Sequence, residues 1–169
     1  MKSKIILLLA VISFSSLSFG QINKGNWVIS GNSTLQVSSS KIEGGGSSST
    51  TVVFSPAVGY FVTDGLSVGI SANVLNSEGS TIYSILPSAS YYFQTQSNIK
   101  PFMEVGIGYG GLSVDSESVG GLALGAGAGI MYLINQNIGL NLGFQYLRGD
   151  YDGAVINTFG GTIGFSLFF

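Results

Sequence analysis

From Lys24 to Phe169 the chain alternates apolar side chains with small or polar ones over long runs, the period of a strand whose two faces meet different surroundings. The first run puts Trp27, Ile29, Leu35 and Val37 on one face and Ser30, Asn32, Thr34 and Gln36 on the other. The second sets Val52, Phe54, Pro56, Val58, Tyr60 and Val62 against Ser55, Ala57 and Gly59, and Thr63, Asp64 and Gly65 make a turn. A third sets Leu66, Val68, Ile70, Ala72 and Val74 against Ser67, Gly69, Ser71 and Asn73. In the fourth, Tyr83, Ile85, Pro87, Ala89, Tyr91 and Phe93 oppose Ser84, Ser88 and Ser90, with Leu86 as an exception.

Four more runs follow. Met103, Val105, Ile107 and Tyr109 alternate with Phe102, Glu104, Gly106 and Gly108, and Leu122 to Tyr132 alternate with Gly121, Gly125, Gly127 and Gly129. Ile138 to Tyr146 alternate with Gly139, Asn141, Gly143 and Gln145, and Val155 to Phe169 with Thr158, Gly160, Thr162, Gly164 and Ser166. These runs are roughly 10 to 15 residues long, where strands of soluble proteins have about 5 to 6 and membrane-crossing strands about 9 to 11. An even number of runs with short connections makes every neighbour antiparallel and lets the last pair with the first. In hydrocarbon an unpaired backbone amide costs several kcal/mol, so only helices or closed barrels cross it, and helices do not fit a period of two. The pattern therefore predicts an all-β fold, an eight-stranded antiparallel up-and-down transmembrane β-barrel.

Charge tests this independently, because only 8 % of the residues are charged. Lys41, Glu43, Asp64, Glu78, Lys100, Asp115, Glu117, Asp150 and Asp152 fall in predicted connections or at strand ends. Glu104 alone lies well inside a run, with the parity of Gly106 and Gly108, on the lumen face where a charge can be hydrated. Glu104, Asn141 and Gln145 are thus candidate lumen polar residues. Asp115, Glu117, Asp150 and Asp152 are candidate surface-loop residues. Arg148 has outward parity, so its pairing with Glu104 stays open beside a solvated arginine. Trp27, Tyr60, Tyr92, Phe93, Phe102, Tyr132 and Phe169 collect near one rim and Tyr83, Tyr109 and Tyr146 near the other, as aromatic girdles at headgroup level do.

The N-terminus changes the picture of where this barrel resides. Lys2 and Lys4 precede an apolar run from Ile5 to Ile12, and Ser18-Phe19-Gly20 places small residues at the −3 and −1 positions of a cut before Gln21. Residues 1–20 read as a cleaved signal peptide, since the apolar part is shorter than the roughly 20 residues of a spanning helix. Residues 21–169 read as the barrel domain. The net charge of −2, falling to about −4 without Lys2 and Lys4, offers no basic patch for nucleic acid. The chain has no cysteine and no histidine, which removes disulfides, the usual zinc ligands and the usual general base.

Several motifs match formally. Gly65-Leu-Ser67-Val-Gly69 has the nucleophile-elbow spacing without the following helix or a histidine base. Gly106-Ile-Gly108-Tyr-Gly-Gly111 has the dinucleotide spacing without a helix or a downstream acid. Gly121, Gly125 and Gly129 would also suit a helix dimer across residues 119–134, a segment slightly short for a spanning helix. Asp150-Tyr-Asp152-Gly153 has only part of a calcium loop.

With eight runs, an export signal and the terminal strand Phe159-Gly-Gly-Thr-Ile-Gly-Phe-Ser-Leu-Phe-Phe169, the chain resembles small outer-membrane β-barrel proteins of the OmpA-transmembrane-domain and OmpX type. The resemblance covers essentially all of residues 21–169. It implies location in the outer membrane of a Gram-negative bacterium, with lipid and lipopolysaccharide as partners and the barrel-assembly machinery reading the strand that ends at Phe169. It implies termini and the turns near Asp64, Ser97 and Gln136 in the periplasm, loops 39 to 50, 76 to 80, 113 to 119 and 148 to 154 outside, and a mobile Gly44–Ser49 stretch. No peptidoglycan-binding domain is expected after the barrel. The expected role is non-enzymatic and monomeric, without cofactor, in envelope structure or surface display. Two alternatives are a narrow channel for ions or very small solutes lined by Glu104, and a soluble lipocalin-like barrel, which would need the alternation inverted.

Overall fold

The structure is a computed structural model that describes residues 22–42, 45–77, 80–114, 117–151 and 154–169. The signal peptide expected over residues 1–20, and Asp115 and Asp152, lie outside the described residues. Eight strands follow in order: β1 Trp27–Ile42, β2 Gly45–Thr63, β3 Leu66–Ser77, β4 Ser80–Tyr92, β5 Ile99–Val114, β6 Glu117–Leu133, β7 Ile138–Tyr151 and β8 Ala154–Phe168. Each pairs antiparallel with its neighbours, and β1 pairs with β8 from Val28↔Phe168 to Ser39↔Asn157, closing the barrel. Closure gives the edge amides of the first and last strands to each other, which is what a hydrocarbon environment demands. Of residues 119–134, the segment also suited to a spanning helix, all but Ile134 belong to strand β6.

The alternation resolves as the sequence predicts. Ile163, Phe144 and Val105 are 63 %, 62 % and 60 % exposed, whereas Phe61 and Ser166 are fully buried. An apolar outside and a largely polar, small-residue inside is the reverse of a soluble ligand-binding barrel, so the lipocalin-like alternative does not describe this chain. Trp27, Tyr60, Tyr91, Phe93, Tyr132 and Phe169 project outward at the end that carries the described N-terminal residues, and Tyr83, Tyr109 and Tyr146 do so towards the other. Two rings expected in that girdle do not belong to it. Tyr92 and Phe102 are buried. Their parity is that of Ser90 and Glu104, so they point into the lumen, and Tyr91 takes the outward place.

The strands also run further than expected at the end away from the termini. Positions 45 to 49, expected in a mobile loop, pair with β1 from Ser38↔Ser49 to Ile42↔Gly45. Glu117 opens β6 and Asp150 is the penultimate residue of β7, paired with Leu122 and Val155. The reason is that hairpin neighbours satisfy each other's backbone whatever their side chains, so pairing outlasts the apolar pattern that reveals it. Ring and glycine are matched on the outer face. Tyr83 lies over Gly111 and Tyr109 over Gly120, where a Cβ would meet the phenol groups.

Close backbone approach in the wall leads to a prediction. A Cβ on Gly69 would lie 1.9 Å from the Val58 carbonyl oxygen, whereas on outward Gly161 its nearest neighbour is 4.0 Å away. Gly69→Ala should cost about 1–3 kcal/mol by overpacking, while Gly161→Ala should be near neutral. Urea unfolding in lipid, followed by emission of the single tryptophan Trp27, reads both.

Candidate functional site

The lumen is where side chains of chemical interest converge, and it is layered. At the end near the termini Phe61, Tyr92, Phe102 and Phe168 pack together, with ring centroids 5.7 Å apart for Phe61 and Tyr92, 5.8 Å for Tyr92 and Phe102 and 6.2 Å for Phe61 and Phe168. Val28, Met131 and Ile22 complete this cluster. Ile22 belongs to a strap, residues 22–26, that precedes β1. Its carbonyl accepts hydrogen bonds from the Gly65 N–H at 2.8 Å and the Gln94 amide at 3.1 Å. The Lys24 N–H donates to Asp64 Oδ1 at 2.8 Å, and the Gly25 N–H to the Phe61 carbonyl at 2.9 Å. Gly65 adopts φ +80°, a left-handed turn conformation suited to glycine, and so presents its N–H to the strap. The strap and the rings plug that mouth.

Above the plug lies a polar belt. Asn73 is its hub: Oδ1 accepts from Ser55 Oγ at 2.7 Å and from Gln145 Nε2 at 3.3 Å, and Nδ2 donates to Ser84 Oγ at 3.0 Å. Gln145 Oε1 in turn accepts from Thr34 Oγ1 at 3.3 Å, which links β1, β2, β3, β4 and β7 across the lumen. Asn141 Nδ2 donates to Ser166 Oγ at 2.9 Å and Asn32 Oδ1 at 3.3 Å. Its own Oδ1 is buried without a partner among the described residues. In a dry setting such paired amides hold their strands in one arrangement, and an unpaired acceptor carries its full desolvation penalty.

Glu104 sits in the same belt. Gly127 lies between it and Gln145 in one row of paired residues. A Cβ on Gly127 would fall 2.8 Å from Glu104 Oε1, so the glycine supplies the room that the carboxylate occupies. Glu104 and Asn141 line one cavity of about 30 Å³, with Ser30, Asn32, Ser88 and Ser90. Glu104 and Gln145 line a second of about 20 Å³, with Ser71, Leu86 and Ser88. Each is large enough for about one or two waters. The three lumen candidates are therefore brought into one belt. Arg148 is not: it is exposed on the outer face, paired with Leu124 and Asn157, and makes no ion pair with Glu104. Asp150 is exposed, apart from the lumen residues, and the side chain of Glu117 is outside what the structure describes.

Sequence reading missed the plug and the hub. Phe61 and Phe168 carry lumen parity, and that parity was the available signal. The strap had none, because Ile22 stands outside any alternating run. The formal motifs dissolve into strand: Ser67 is a buried wall residue whose hydroxyl lies 3.5 Å from the Ser90 carbonyl, and Gly106 to Gly111 belong to β5. Among the described residues no cluster of three or more acidic side chains could hold a metal.

Closed, apolar outside and filled inside, the chain has the architecture of a transmembrane β-barrel. No known family and no curated protein matches its sequence. Solved structures do match its fold. Neisserial surface protein A shares it with a TM-score of 0.73 at 21 % identity, over 85 % of this chain and 99 % of that one. The outer membrane protein OprG from Pseudomonas aeruginosa has a TM-score of 0.54 at 17 % identity, over 90 % of this chain and 99 % of its own. A de novo designed transmembrane β-barrel has a TM-score of 0.57 at 14 % identity, over 88 % and 99 %. The resemblance to small outer-membrane barrels thus holds at the level of fold. A designed protein in the same set illustrates that this fold does not by itself fix a role.

The hub can be tested directly. Asn73→Ala removes three hydrogen bonds and leaves Gln145 and two serines short of partners, which should cost about 1–3 kcal/mol. The expected readout is a lower temperature at which the folded band converts to the unfolded one on gels. An unchanged transition would mean the belt contributes nothing to stability.

Proposed function

We infer that this protein is a non-enzymatic integral outer-membrane barrel that contributes to envelope structure or displays its outer hairpins at the cell surface. The observation that carries this reading is the pairing of an apolar exterior with a lumen filled by side chains: among the described residues, the plug of Phe61, Tyr92, Phe102 and Phe168 and the belt around Asn73 leave water-sized spaces between them. The similar barrels named outer membrane and surface proteins support the location. The signal peptide read over residues 1–20 supports export to it, and its removal would leave the strap starting close to Ile22. Lipid and lipopolysaccharide are the partners that the outer face suits, and the strand ending at Phe169 suits recognition by assembly machinery. The channel reading is the second choice, since a conducting path would have to displace the plug.

Two experiments test this reading. In a Gram-negative host the mature chain should be recovered from outer-membrane fractions as a heat-modifiable species cut by external protease only at its hairpin tips; recovery as a soluble periplasmic protein would sink it. In planar bilayers the refolded protein should be silent, while a Phe61→Ala/Phe102→Ala/Phe168→Ala variant should show openings. Discrete steps from the unaltered chain would favour the channel.

A further inference from the structure

A carboxylate inside a membrane-spanning wall needs a counter-charge, a proton or bulk water, because an unpaired buried charge costs several kcal/mol. Among the residues whose side chains the structure describes, none offers Glu104 a cation. Arg148 is on the outer face, Lys24 is exposed at the strap, and Lys100 donates through Nζ to the Thr95 carbonyl in the turn between β4 and β5. The aromatic plug, of which Phe102 lies between Lys100 and Glu104 in sequence and is buried, fills the way to that turn. Tyr92, the titratable residue that feels the Glu104 charge, is not a cation.

Beside Glu104 lies a cavity of about 30 Å³ with a polar side, formed by Ser30, Ser88, Ser90, Asn32 and Asn141, and an apolar side that includes Val28 and Phe102. Asn141 is only 6 % exposed, and its Oδ1 lacks a partner among the described residues. The cavity walls contain no thiolate or imidazole, so the donor set is hard. One carboxylate supplies one negative charge, and the small volume excludes an organic cation. We propose that this cavity is a site for a single monovalent alkali cation, held by Glu104 and the surrounding hydroxyl and amide oxygens. The ion neutralises the lumen without a basic side chain. Gly127 leaves the room on the wall in which the Glu104 carboxylate lies, since a Cβ there would fall 2.8 Å from Glu104 Oε1.

The plug at one end and the belt above make loading part of folding, so the test refolds the full mature chain in detergent separately in sodium chloride and in choline chloride at equal ionic strength, which holds general screening constant. A ligand that binds only the folded state raises apparent stability with its concentration. The unfolding midpoint should therefore lie several degrees higher in sodium and climb with sodium concentration, and Glu104→Gln should erase the difference. Infrared spectra in sodium should show an ionised carboxylate band absent from Glu104→Gln. If that variant fails to fold, Ser88→Ala/Ser90→Ala should weaken the sodium dependence, and the unaltered chain still gives the comparison between salts. Equal midpoints in the two salts, or a protonated carbonyl band for Glu104 in sodium, would overturn the cation site in favour of a bound proton. The inference does not depend on the envelope role, because a barrel without an ion passes every test of membrane insertion.

Discussion

Everything in this molecule follows from the requirement that each backbone N–H and C=O crossing hydrocarbon find a partner within the protein. The pairing of β1 with β8 is where that requirement is met last, since it joins the most distant parts of the chain and removes the two remaining edges. Once the wall is closed, the period of two fixes which side chains meet lipid and which meet one another. The polar face cannot seek water outward, so serines, threonines and amides turn inward.

Closure at eight strands also sets the problem of the interior. A barrel this narrow is filled by its own side chains, and this one fills its two described layers differently. Near the termini the filling is aromatic, with the strap lending Ile22 to the plug. In the middle it is amide and hydroxyl, with Asn73 bonded to residues of three other strands. Glycines in β5, β6 and β7 make both layers possible by thinning the wall where a large neighbour leans in, as Gly127 does for Glu104 and Gly139 for Met131. The small voids that remain are where the carboxylate sits.

This arrangement is economical with charge. A lumen arginine or lysine would need its own desolvation repaid, and the described lumen holds none beside Glu104. Hydroxyls and amides satisfy one another at lower cost than an ion pair, but they leave the lone acid to be balanced by something outside the covalent chain. The same reasoning explains why the formal motifs of the sequence carry no chemistry. Ser67 has neither base nor turn geometry, and its hydroxyl is one more wall group.

Strand number, order, face assignment and membrane character were all legible in the sequence, because a period of two over long runs needs no knowledge of contacts. The lumen positions of Glu104, Asn141 and Gln145 followed from parity alone. Partners across the barrel did not follow, since Asn73 and Gln145 are 72 residues apart and meet only through the tilt and register of a closed sheet. The inward turn of Tyr92 and Phe102 was present in the same parity, although aromatic composition near a rim pointed to a girdle instead. Parity did not reveal the strap, whose place depends on the left-handed Gly65 and on Gln94, residues brought together by the closed mouth. Local alternation determines which face a residue takes; only closure determines which residues then share a layer of the lumen, because that depends on the stagger of every strand between them.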